Sequence, residues 1–138
     1  MQSQAANEPH WGVADLSAWP LFVANSVVAP DVHFMDEMIV QLRGALDRGE
    51  RFCVLVDATA AKRWELPEVR RFAHYAKGER RLDDQVAACA IVCPSAFVRG
   101  AFRVLFAMRP PTHPYSIVRS RDCAEAYLAP FMAGLRWP

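Results

Sequence analysis

The feature that most constrains this chain is a pair of continuous apolar runs, Phe52-Cys53-Val54-Leu55-Val56-Asp57 and Val86 to Cys93. Neither alternates with polar residues, so neither suits a sheet with one wet face. Each reads as a strand buried on both sides, the pattern of a parallel-sheet interior. Parallel strands cannot be joined by a tight turn and need a crossover, usually a helix. The segments around the runs supply such crossovers. Pro30-Asp31 opens a first helix, with Asp31 able to accept a backbone N–H at its start. Met35, Met38, Ile39, Leu42, Ala45 and Leu46 then recur at i, i+3, i+4, i+7 spacing. Gly49 closes this helix, and Arg48 favours its negative end.

A loop, Ala58 to Glu65, follows the first run, and Pro67 suits the first turn of a second helix. Val69, Phe72, Ala73 and Ala76 form its inward stripe, and it carries Arg70, Arg71, Lys77, Arg80 and Arg81. Pro94-Ser95 ends the second run. A third helix spans Phe97 to Met108, stopped by Pro110 and Pro111, and Tyr115 to Arg119 is a final strand. Asp122-Cys123-Ala124-Glu125 is a D-x-x-E variant of the capping box and opens a last helix, which Pro130 ends or kinks. Upstream, Trp11–Ser17 and Leu21–Val28 read as a hairpin turning at Ala18-Trp19-Pro20. The order β-β-α-β-α-β-α-β-α predicts an α/β fold with right-handed crossovers. Its sheet should be mixed but mainly parallel, with an antiparallel N-terminal edge strand. The 138 residues fit one domain over 11–138, preceded by a flexible tail over 1–10.

Composition narrows the function classes. With 53% hydrophobic residues and a formal charge of +1, the chain is neither a disordered polyion nor a general nucleic-acid binder. No run approaches the ~18–20 apolar residues of a membrane span, and the N-terminus does not read as a signal peptide. Of the four cysteines, Cys53, Cys89 and Cys93 lie within the apolar runs. On a strand, Cys89 and Cys93 would stand about 13 Å apart, beyond the roughly 7 Å reach of a disulfide. Reduced, buried thiols and a cytoplasmic location are expected for the four. His10, His33, His74 and His113 are scattered, and no zinc, nucleophile-elbow or phosphate-loop motif occurs. The reading is of a protein that is not an enzyme and carries no metal or cofactor.

Three regions remain as candidates. Asp57, Thr59, Lys62, Arg63 and Trp64 lie beyond the carboxyl end of the first buried strand, where ligands gather in open α/β sheets. Asp57 and Thr59 can equally serve to satisfy loop backbone groups. In the second helix, Glu65, Glu68, Glu79, Asp83 and Asp84 interleave with the basic residues, as on a solvated, locally paired face. The third helix is overloaded: its large apolar side chains cover roughly 200° of its circumference, against the 100° or so of an ordinary amphipathic helix. Phe97, Val98, Phe102, Leu105, Phe106 and Met108 then imply burial on a second surface or an exposed interface, for a protein partner or a homodimer. A small-molecule or lipid pocket near the strand ends, lined by Phe34, Trp64 or Phe106, is the alternative.

Several short segments also resemble the small bacterial STAS/SEC14-domain proteins, whose fold is the SpoIIAA-like α/β sandwich. They are Asp15-x-Ser17-x-Trp19-Pro20-Leu21, Arg48-Gly49-Glu50-Arg51-Phe52, Val56-Asp57, Pro67-x-x-Arg70-Arg71-x-Ala73, Arg99-Gly100-Ala101 and Glu125-Ala126-x-Leu128. The resemblance implies a regulatory or scaffolding module acting by protein contact, as an antagonist or adaptor in a bacterial signalling pathway. It also implies that Thr59, in Asp57-Ala58-Thr59, corresponds to a phosphoacceptor. SEC14-like relatives imply lipid binding instead.

Overall fold

Strands β2 (Leu21–Asn25), β3 (Phe52–Asp57), β4 (Val86–Val92) and β5 (Tyr115–Val118) lie side by side in sequence order, all parallel. At the β2 edge, β1 (Ala14–Asp15) adds a two-residue antiparallel pairing, Ala14 with Ala24 and Asp15 with Val23. The computed structural model describes residues 14–25, 32–60, 66–108 and 110–136. Among them are five helices: α1 (Val32–Leu46), α2 (Leu66–Gly78), α3 (Arg81–Gln85), α4 (Ala96–Met108) and α5 (Arg121–Arg136). The expected starts of the first strand and first helix, Trp11–Val13 and Asp31, and the Val27-Val28 end of the second strand, fall outside the described residues.

Strands joined in sequence order by crossovers of one hand put all their crossover helices on one side. Accordingly α1, α2 and α4 share a face and bury Phe22, Ala24, Phe52, Val54, Cys89 and Ile91 of the strands. The alternate residues Val23, Cys53, Leu55, Ala88, Ala90 and Val92 point to the other face, where α5 is the one helix among the described residues that covers them. This accounts for the continuous apolar runs: each second residue serves a different helix layer. α5 docks with Ala124, Leu128 and Met132, spaced four apart. The alanines of β4 on that face let its backbone approach closely. A register shift beside Phe52 places two successive residues, Ala87 and Ala88, on the α5 side.

Local chemistry sets the element ends. Gly49 adopts φ +71°, the left-handed conformation that closes α1. The turn leading into β3 is fixed by Trp19, whose indole stacks on Phe52 at 5.1 Å and donates from Nε1 to Glu50 at 2.8 Å. The Arg48 guanidinium sits 4.2 Å over the same ring. Ser95 caps α4 by accepting the Val98 N–H at 3.3 Å.

Several expectations need correction. The second helix stops at Gly78, and Arg81 belongs to the separate helix α3. The last strand ends at Val118, before Arg119. The last helix is capped two residues earlier than the D-x-x-E box suggests: Ser120 Oγ accepts the Cys123 N–H at 3.2 Å. Pro130 neither ends nor interrupts α5, because the docked stripe Leu128–Met132 straddles it and the exposed side of the helix can solvate the freed carbonyl. Cys123 is exposed on α5, while the other three thiols are buried as expected. None of the helices among the described residues is long and apolar enough to cross a membrane.

Candidate functional site: an apolar cavity between sheet and helices

The layer between the sheet and its three-helix face is incompletely filled. A cavity of about 130 Å³, partly open to solvent, lies there. Its origin is in α2. That helix turns Phe72, Ala73 and Ala76 inward, and methyl groups cannot reach as far as the leucines and methionines of its neighbours. Above the resulting gap, α1 contributes Met35, Met38 and Leu42, and α4 contributes Phe102, Leu105 and Phe106. The floor is the sheet, with Phe22, Ala24, Val54, Val56, Cys89 and Ile91.

Polar ties hold α2 in place at its rim and so keep the gap from closing by a shift of the helix. Arg71 donates to Asp36 of α1, with Nε at 2.7 Å and Nη2 at 2.6 Å. Beyond the helix end, the Tyr75 hydroxyl donates to Glu79 at 3.0 Å, and Arg81 bridges Glu79 at 2.9 Å and Asp47 at 2.7 Å. Burial and the Glu79 carboxylate together raise the Tyr75 pKa far above the ordinary phenol value, so the hydroxyl stays a donor.

The amino end of the cavity is bounded by Leu82 of α3, Val86, and Pro111 and His113 of the segment before β5. Thr112 ties that segment to α3 by donating to Asp83 at 2.8 Å. Phe106 is braced from below by Tyr115, with ring centroids 4.6 Å apart. His113 is the one basic or acidic residue on the described walls, so the chemistry offered to an occupant is almost wholly dispersion and desolvation. Cys89 adds a thiol whose pKa burial pushes up to about 12, which makes it a soft apolar wall rather than a nucleophile.

The predicted site residues distribute as follows. Val98, Phe102 and Leu105 are buried in the chain's own core and are not available as an interface. Phe106 is half-buried against the cavity. Phe97 and Met108 are exposed, at 64% and 44%, and Val104 joins them at 43%. Of the proposed pocket residues, Phe106 is a wall; Phe34 is fully buried in the core and is not one of the described walls. Lys62, Arg63 and Trp64 lie outside the described residues.

At the other candidate loop, Asp57 Oδ1 accepts the Thr59 N–H at 3.0 Å and Oδ2 accepts from Arg121 at 3.2 Å. Arg121 also reaches Glu125 at 3.2 Å. Burial works to raise the Asp57 pKa, but hydrogen bonds from Thr59 and Arg121 outweigh it and hold the carboxyl below its usual range. The group thus closes a turn and ties β3 to α5, while Thr59 itself is exposed.

Sequence reasoning missed the sulfur-bearing walls Met35, Met38 and Cys89 and the role of the α2 alanines. The available signal was the pairing of small inward residues on one helix with long ones on its neighbours. Among the described residues, no three His, Cys, Asp or Glu side chains gather as metal ligands. Compared with family models, with curated proteins and with solved structures, the chain matches none.

Proposed function

We propose that this protein binds an apolar small molecule in the cavity between its sheet and its helices. The observation that carries this reading is the cavity itself, walled by apolar side chains from four helices and the sheet. At about 24 cal/mol per Å³, an enclosed void of this size would cost roughly 3 kcal/mol of stability, and that is the upper bound for a space partly open to solvent. An occupant recovers that cost as binding energy, whereas a partner docked on the outside does not. The sequential parallel strands, with one helix on the second face, support the STAS/SEC14-type reading of the sequence, in which an apolar ligand is the SEC14-like alternative. The test is a melting curve with and without toluene at its solubility limit, paired with native mass spectrometry of freshly purified protein. A raised melting temperature or a retained apolar mass supports the proposal; an unchanged melting curve with no retained mass refutes it.

Contact with another protein is a second reading, favoured by α4. At 100° per residue, Phe97, Val104 and Met108 fall within about 20° of a single line, so they form one exposed apolar stripe. The stripe is narrower than the sequence suggests, because the core takes the other half of the helix. Light scattering on wild type and on a Phe97→Ser/Met108→Ser double variant tests it. A dimer that the double variant dissolves supports the reading, and a wild type monomeric at all accessible concentrations removes the homodimer.

A further inference from the structure

Resting on the cavity reading, we infer that the occupant is a compact aromatic ring system carried by a free small molecule, not an extended acyl chain. Two observations converge. The first is size: the space is about 130 Å³, close to the ~150 Å³ of an engineered apolar cavity in another protein that binds benzene. One ring, or at most a fused pair, fits such a space without leaving it; a chain of lipid length does not. The second is the chemistry of the walls. Four phenylalanines, Phe22, Phe72, Phe102 and Phe106, come from the sheet and from two helices on the other side. Phe102 and Phe106 already meet in a tilted arrangement, with centroids 6.3 Å apart. Rings placed around a gap in this way offer edge and face contacts to a further ring. Met35 and Met38 add polarizable thioethers, whose favoured partner is also an aromatic ring. A rigid ring also gives up less conformational freedom on entry than a chain with many rotatable bonds.

The experiment is isothermal titration of the full-length protein with toluene, indole, sodium octanoate and N-acetyltryptophanamide, with the Ala76→Leu variant as the blocked control. Intermolecular nuclear Overhauser effects to the methionine methyls of the wild type locate the ligand without relying on any variant. Toluene or indole should bind at least about tenfold more tightly than octanoate, equivalent to 1.4 kcal/mol or more. The bound ring should show contacts to the Met35 and Met38 methyls, and Ala76→Leu should lose binding. Octanoate binding as tightly as the rings, with the same methyl contacts, overturns the ring assignment and leaves the cavity reading standing. N-acetyltryptophanamide binding more tightly than indole overturns the free small molecule in favour of a side chain delivered on a peptide. No binding by any probe, or binding without methyl contacts, overturns both the inference and the cavity reading.

Discussion

Ala76 is buried on the inward stripe of α2 and lines the cavity, so its replacement by leucine asks directly whether the space is real. The substitution adds three carbons. If they enter the void, each gains about 0.8 kcal/mol of burial, for a total of about 2 kcal/mol after a small loss of rotamer freedom. This lies within the upper bound of roughly 3 kcal/mol for the void, so the side chain should partly fill the space rather than push the helix away. Helix propensity changes little between alanine and leucine and does not confuse the result. In a chain of 138 residues, 2 kcal/mol corresponds to a rise in melting temperature of roughly 5–10 °C. Thermal and urea denaturation of ligand-free protein measure it, with an unchanged m-value as the check that the fold is kept. Toluene should also stabilise the wild type and not the variant. A loss of about 1–3 kcal/mol in a cooperatively folded variant is the signature of overpacking, and it would show that α2 and the sheet leave no room.

Other consequences are simpler to state. Phe102→Ala should cost about 3–5 kcal/mol, since that ring is buried between sheet and helix, whereas Phe97→Ser should change stability by less than about 0.5 kcal/mol; chemical denaturation separates the two. Asp57→Asn should cost about 1 kcal/mol at neutral pH by weakening the bonds from Thr59 and Arg121. Because the folded pKa of Asp57 is depressed, its contribution is fully present above the unfolded value near 3.9 and is lost as pH falls through the folded value; the gap between wild type and variant should therefore be flat from about pH 8 to 5 and close below about pH 4. In a thiol assay of native protein at pH 8, Cys123 should react quickly. Cys53 and Cys89, which burial raises to about 11 and about 12, should react only after unfolding.

The fold was largely legible in the sequence because its strongest signal, strands apolar on both faces, is also its strongest constraint. Once Phe52–Asp57 and Val86–Cys93 are buried twice, helices must lie on both sides of the sheet. Gly49 was readable for a local reason, since a glycine after the last periodic residue of a helix is the residue best able to take the left-handed conformation that stops it. Helix ends set by single side chains were harder. Ser120 and Asp122 are both good caps, and only the docking of Ala124 and Leu128 decides between them. The candidate site was the least legible part. A void is a property of what α1, α2 and α4 fail to fill together, and the spacing of Ala73 and Ala76 within α2 looks like any ordinary buried stripe. The overloaded α4 was visible, but its apolar surplus divides between the closed core at Val98, the cavity wall at Phe102, Leu105 and Phe106, and the surface at Phe97 and Met108. That division depends on neighbours the helix's own periodicity does not contain.

A crystal structure of the protein soaked in toluene tests most directly whether a ring-sized apolar occupant sits between sheet and helices. The prediction is density for one ring bounded by Met38, Phe72, Cys89 and Phe102, absent from unsoaked crystals. A cavity closed by the chain's own side chains, or one left empty while toluene binds elsewhere, would contradict it.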